Sequence, residues 1–189
     1  MRLEEYGDLF SAALRRTSIT VPGGTLLYQV AGEVFEMTAA YRSDGFSFLR
    51  GGDPVNALAA FAYGLGWLDA GSQLGLLGPQ AAHPPDTVAA AIPESRKAHL
   101  DEKTHRYRRM LSAALAAVGT GPDVASPLHA GARTFYAAAE SWYAEGVERL
   151  DAGDLPAALA RFSYGYAWLD AGVRAGLLVV TGDRSLFTV

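Results

Sequence analysis

The sequence predicts an all-α fold made of two tandem three-helix bundles, packed as a pseudo-dimer about a pseudo-twofold axis. Three observations predict it. The stretch FAYGLGWLDAGSQLGLL at 61–77 returns as FSYGYAWLDAGVRAGLL at 162–178. The offset of 101 residues that pairs Trp67 with Trp168 also pairs Asp53 with Asp154, Gly45 with Gly146 and Tyr6 with Tyr107, without a gap. Each copy is long enough for three helices, so the repeat is a whole domain rather than one solenoid unit. The expected boundaries are 1–78 for copy 1, 79–93 for a linker, 94–180 for copy 2 and 181–189 for a tail.

The elements follow in order. Arg2–Arg16 reads as an amphipathic helix, with Leu3, Tyr6, Phe10, Ala13 and Leu14 near helical spacing. Thr17–Gly24 is a loop, and Thr25 is placed to cap the next helix by accepting from free backbone N–H groups. That helix runs to Arg50, with Leu27, Val30, Val34, Met37, Tyr41 and Phe48 on its expected buried side. Gly51-Gly52-Asp53-Pro54 ends one helix and starts another: Gly takes the left-handed turn, Asp53 caps, and Pro54 sits where no N–H is needed. Gly153-Asp154 repeats the device.

The third helix is expected over Pro54–Leu77. At 100° per residue, Ala57, Gly64, Leu68, Gly71 and Gly75 form one stripe, and Ala62, Gly66, Asp69 and Gln73 are left for solvent. A helix so apolar is buried nearly all round. Each Gly costs about 1 kcal/mol in a helix relative to Ala. The stripe, repeated at Gly165, Gly172 and Gly176, therefore predicts that the third helices of the two copies face each other through it. In copy 2 the helices are expected to Val118, over Pro127–Ala152 and over Leu155–Val179. Residues 79–93 are Pro-rich and read as a linker, and Thr181–Val189 has no evident place.

Composition narrows the function classes. Half the residues are apolar and 19% are charged, ordinary for a folded chain. The absence of Cys excludes disulfides and thiolate metal sites and fits a reducing compartment. The acidic opening MRLEEYGDLF lacks the apolar core of a signal peptide, so a cytoplasmic location is expected. No run is long and apolar enough for a membrane span. The net charge of −4 is uneven: residues 1–94 hold 5 Lys/Arg against 10 Asp/Glu, and residues 95–189 hold 11 against 10. The one basic concentration is Arg96, Lys97, Lys103, His105, Arg106, Arg108 and Arg109, with Tyr107 among them. Acidic residues interrupt it and copy 1 lacks it, so it reads as a solvated helix face rather than a nucleic-acid surface.

The candidate binding or interface residues are Tyr63, Trp67 and Asp69, with their equivalents Tyr164, Trp168 and Asp170. Acids at matching positions in a mostly apolar helix point to polar pockets between the bundles. The plainer account gives Asp170–Arg174 and Asp69–Gln73 as i,i+4 contacts within a helix, and the Tyr and Trp rings as core. No catalytic residue, cofactor or metal is predicted. His83, His99, His105 and His129 lack ligand spacing. Gly71-Ser72-Gln73-Leu74-Gly75 lacks the spacing of a nucleophile elbow, no phosphate loop is present, and Gly64-x-Gly66 lies inside a helix.

At FxYGxxWLDAGxxxGLL the sequence resembles the archaeal domain of unknown function 357 family, over both copies and most strongly over Gly52–Leu77 and Gly153–Leu178. The resemblance implies a three-helix bundle, usually as a short single-domain chain. It carries no activity and hence no catalytic residue. Two fused copies depart from that pattern and imply that single-copy relatives self-associate. Gly-Asp-x-x-x-Ala-Leu-x-x-Phe at Gly52–Phe61 and Gly153–Phe162 is also similar to half of a tetratricopeptide unit, but nothing recurs at the 34-residue period that unit requires. The expected function is a non-enzymatic interaction or scaffold protein with a protein partner, itself or another; neither nucleic acid nor membrane is expected. The alternative is a small-ligand- or RNA-binding, enzyme-like helical domain. A scaffold should expose an apolar patch, and a ligand domain should show a concave pocket near Asp69 or Asp170.

Overall fold

The computed structural model describes residues 2–79, 82, 83, 85 and 92–188. Among them are six α-helices: α1 (Leu3–Arg16), α2 (Leu26–Arg50), α3 (Pro54–Gln73), α4 (Lys97–Ala116), α5 (Pro127–Asp151) and α6 (Leu155–Arg174). Four very short strands accompany them: β1 (Ser18–Ile19), β2 (Leu77–Gly78), β3 (Val118–Thr120) and β4 (Leu178–Val180).

Local chemistry sets the helix ends. Thr25 accepts from the Tyr28 N–H at 3.2 Å, Asp53 from Asn56 at 3.1 Å and Asp154 from Ala157 at 3.2 Å. Each side chain satisfies one of the donors a helix start leaves free. Gly52 and Gly153 turn the chain between second and third helices at φ +72° and +79°, where a side chain would be strained. The next N–H, of Asp53 or Asp154, reaches back to Phe48 or Arg149 at 2.9 Å in both copies.

The third helices stop short of the expected Leu77 and Val179. Gly75 and Gly176 adopt φ +70° and +72°, and Leu76 and Leu177 then donate to Gly71 and Gly172 at 3.0 and 2.9 Å. That geometry closes a helix. The chain leaves extended and pairs antiparallel with the segment after the first helix, Ile19 against Leu77 in copy 1 and Gly119 against Val179 in copy 2. Helix α4 likewise ends at Ala116, not Val118, because Val118 belongs to this pairing.

The packed face of α2 is made of small residues. Ala31, Val34, Thr38 and Gly45 are buried, while Leu27 and Phe48, expected inside, are 56% and 39% exposed. The reason lies opposite: the Phe61 ring of α3 lies against Gly45, in the space a Cβ would need, and Phe162 does the same at Gly146.

Helices α3 and α6 pack on each other and form the centre of the molecule. Between Val55 and Ser72, and again between Ala157 and Gly172, nearly every residue is buried. A Cβ on Gly66 would lie 2.6 Å from the Tyr164 carbonyl oxygen and 2.7 Å from the Ala167 Cβ. Ala167 is the equivalent of Gly66, and a residue meets its own equivalent only beside a twofold. The pseudo-twofold therefore passes here. The face that carries it is not the glycine stripe. Gly64 meets Phe10 and Tyr41, Gly71 meets Val34 and Leu77, Gly165 meets Trp142 and Leu111, and Gly172 meets Leu178 and Phe135, all within one copy. Small residues on that stripe admit the rings and leucines of the same bundle. The strip assigned to solvent is the seam instead: Ala62, Gly66 and Asp69 are buried, and only Gln73 is exposed.

Candidate functional site

The six residues singled out from sequence gather at this seam and on its flanks. Trp67 is fully buried and packs edge-on to Tyr63, centroids 6.3 Å apart; Trp168 lies 5.0 Å from Phe135. Asp69 is 4% exposed and Asp170 fully buried. Neither carboxylate is spent along its own helix. Tyr63 of copy 1 donates its hydroxyl to Asp170 of copy 2, and Tyr164 of copy 2 donates to Asp69 of copy 1. The two bonds are each other's image under the twofold, as a self-complementary interface requires. Arg174, expected to pair with Asp170, reaches Glu33 of copy 1 at 3.4 Å, a third link between the copies.

Each carboxylate takes further donors from the segment that follows its own third helix. Asp69 receives the His83 backbone N–H at 2.5 Å and faces His83 Nδ1 at 2.7 Å. Asp170 receives the Thr188 N–H at 3.2 Å. A buried charge is tolerated when it is paired and hydrogen-bonded in this way. Burial still pushes the Asp170 carboxyl up from 3.8 to about 6, with the Tyr63 and Thr188 bonds pulling the other way. Burial and the facing carboxylate raise both Tyr63 and Tyr164, so these hydroxyls keep their protons and remain donors.

A cavity of about 340 Å³ opens beside Tyr63, between α2 and α3 of copy 1, α4 and α6 of copy 2, and the C-terminal segment. Tyr41, Tyr107, Tyr166, Phe187 and Met110 line it, and Lys103 and Asn56 supply polar groups. Lys103 is 6% exposed; its ammonium donates to Asn56 Oδ1 and sits 4.8 Å from the centre of the Tyr107 ring. Burial lowers its proton affinity, as does nearby Arg106. Asn56 is itself held by Asp53, to which its amide donates at 2.5 Å. The tail closes one wall: Tyr166 donates to the Leu186 carbonyl, and Phe187 is buried.

Three of these groups have roles that the sequence alone does not show. In the sequence Lys103 reads as part of the solvated basic face, His83 as part of the linker, and Thr188 as part of a tail of no evident place. Only Lys103 carried a readable signal, because it sits on the buried side of α4 beside Leu100, Thr104, Tyr107 and Leu111. The neighbouring charges do behave as a solvated face: Arg106 lies 3.7 Å from Glu102 and Lys97 lies 3.3 Å from Glu94, all four exposed. Among the described residues no three His, Asp or Glu side chains converge as metal ligands, and no helix is long and apolar enough to cross a membrane. The linker expected over 79–93 is described only at residues 79, 82, 83, 85, 92 and 93, and the remainder lies outside the described residues.

Comparison with known proteins adds one match. The family model described as "Protein of unknown function (DUF357)" matches residues 5–77 and again residues 106–178. Both ends of the second match lie 101 residues beyond those of the first, the same offset that the sequence repeat shows. No curated protein and no solved structure matches the chain.

Proposed function

We propose, from the premise that the chain belongs to the DUF357 family in both of its halves, that it is a non-enzymatic interaction protein whose fused copies present one protein-binding surface twice. Its units are residues 1–78 and 94–180, joined by 79–93 and followed by 181–189. The observation that carries this reading is an exposed leucine at the same position near the start of the second helix of each copy, with further exposed apolar residues within four positions of it. In copy 1, Leu26, Leu27 and Tyr28 are 76%, 56% and 43% exposed. In copy 2, Val124 and Leu128 are 75% and 62% exposed, and Leu128 is the equivalent of Leu27. Single exposed leucines are ordinary, whereas clusters at the start of one helix mark contact surfaces. The recurrence of the exposed leucine, Leu27 in one copy and Leu128 in the other, supports a shared use.

Asp69 and Asp170 support the non-enzymatic half of the reading. Their oxygens are engaged by Tyr164, His83, Tyr63 and Thr188, so they act as fasteners of the seam. The test is affinity purification from the native host with the wild-type chain and with the double variant Leu27→Asp, Leu128→Asp. A protein partner held in stoichiometric amount by the wild type and lost from the folded double variant is expected. Retention of the same partner by that variant, or no stoichiometric partner on the wild type, would overturn the reading.

A further inference from the structure

The seam cavity has an equivalent on the other side of the twofold, and the two are built differently. Tyr41, Asp44, Ala60, Tyr107 and Tyr166 line the cavity; their equivalents are Trp142, Glu145, Arg161, Tyr6 and Leu65. Arg161 is buried, its Nε lies 3.5 Å from Glu145, and its charge bears on the Tyr6 hydroxyl. A guanidinium therefore occupies the space that stands open beside Ala60. One side of the seam carries its own cation, on Arg161. The other side keeps a vestibule with the Lys103 ammonium in its wall.

That vestibule has a definite chemistry. Lys103 donates to a neutral amide oxygen and to the face of a ring, neither of which neutralises it. The acid among the lining residues, Asp44, is exposed. Aromatic rings form part of the other lining surface: Tyr41, Tyr107, Tyr166 and Phe187. A volume of about 340 Å³ is at the small end of the roughly 300–1,000 Å³ usual for small-molecule sites. We propose that this cavity is a binding site for a small aromatic monocarboxylate, with its carboxylate on Lys103 and its ring against the tyrosines. A single negative charge suits one ammonium, and a planar ring gains from offset or edge contacts with the aromatic walls. Burial and Arg106 lower the proton affinity of Lys103 while Asp53 and Glu102 raise it, so a bound carboxylate would add to the charge that holds the ammonium. The site is separate from the exposed helix-two clusters and stands or falls without them.

The experiment is isothermal titration of the full chain with 3-phenylpropionate and indole-3-acetate, against 3-phenylpropanol as the neutral control. Saturable binding to the wild type is expected for at least one acid, at least tenfold tighter than the alcohol. Lys103→Met should weaken it at least tenfold. Ala60→Arg, which copies the residue of the filled side, should abolish it. Circular dichroism shows whether each variant is folded, and Lys103→Gln serves in place of Lys103→Met if the latter is not. Failure of both acids to bind the wild type would overturn the proposal. So would equal binding of acid and alcohol, or acid binding that survives in the folded Lys103 and Ala60 variants.

Discussion

The two copies are alike where they touch and unlike beside it. At the seam, Tyr63 to Asp170 is matched by Tyr164 to Asp69, and Gly66 lies on Ala167. A few residues away, Ala60 and Tyr41 border an open cavity, while Arg161 and Trp142 fill the equivalent space. The difference separates two jobs. The contact that holds the halves together needs both copies to keep the same residues, because each tyrosine serves the other copy's acid. The flanking walls carry no such mutual demand, so one of them is free to become a site.

The largest expected effect breaks the like part of this comparison. Gly66→Val places carbon against the Tyr164 carbonyl and the Ala167 side chain, which lie 2.6 and 2.7 Å from the first added atom. Backbone cannot yield as a flexible side chain does, so urea unfolding should show a loss of roughly 3 kcal/mol or more.

Next comes the pH dependence of Asp170. Its folded value, about 6, lies above the usual 3.8, so the folded chain binds the extra proton between those values. Stability should therefore fall as pH rises through about 4 to 6, by an amount on the order of 2–3 kcal/mol. Below that window the cost of the buried charge is absent, and above it the cost is full. Denaturant titrations at pH 4 and pH 7 check this: relative to Asp170→Asn, the wild type should lose stability between them. A difference that does not change with pH would contradict it.

Smaller again, Tyr63→Phe and Tyr164→Phe each withdraw one hydroxyl from a buried carboxylate and should cost about 1–2 kcal/mol in urea unfolding. The two costs should be similar, because the seam is symmetric in this respect. The smallest effect lies off the seam. Gly32 is inside α2 with nothing within 4 Å of an added Cβ, so Gly32→Ala should stabilise by roughly 0.5–1 kcal/mol, read as a higher midpoint of thermal unfolding.

Much of this was legible in the chain. The 101-residue offset was enough to expect two copies about a twofold, and Gly-Asp turns placed the helical hairpins where they are found. The orientation of α3 differs from the expectation for a physical reason. Its glycines read as a close helix–helix approach, yet Gly64 and Gly71 admit side chains of their own bundle. The strip holding Ala62, Gly66 and Asp69 looked solvated because its residues are small or polar, which is also what a tight, hydrogen-bonded crossing uses. No periodicity can show that an acid's partner is a tyrosine of the other copy. The strands were too short, at two or three residues, for alternation to appear. The cavity was invisible because residues distant in the chain, such as Tyr41, Lys103 and Thr188, meet only in the fold.

The most direct measurement of the central claim is a set of double-mutant cycles combining Tyr63→Phe with Asp170→Asn and, separately, with Asp69→Asn. Exchange of hydroxyl donors between the copies predicts a coupling of about 1 kcal/mol or more for Tyr63 with Asp170, and less than about 0.5 kcal/mol for Tyr63 with Asp69 on its own helix. Coupling confined to Tyr63 and Asp69, or absent from both cycles, would contradict it.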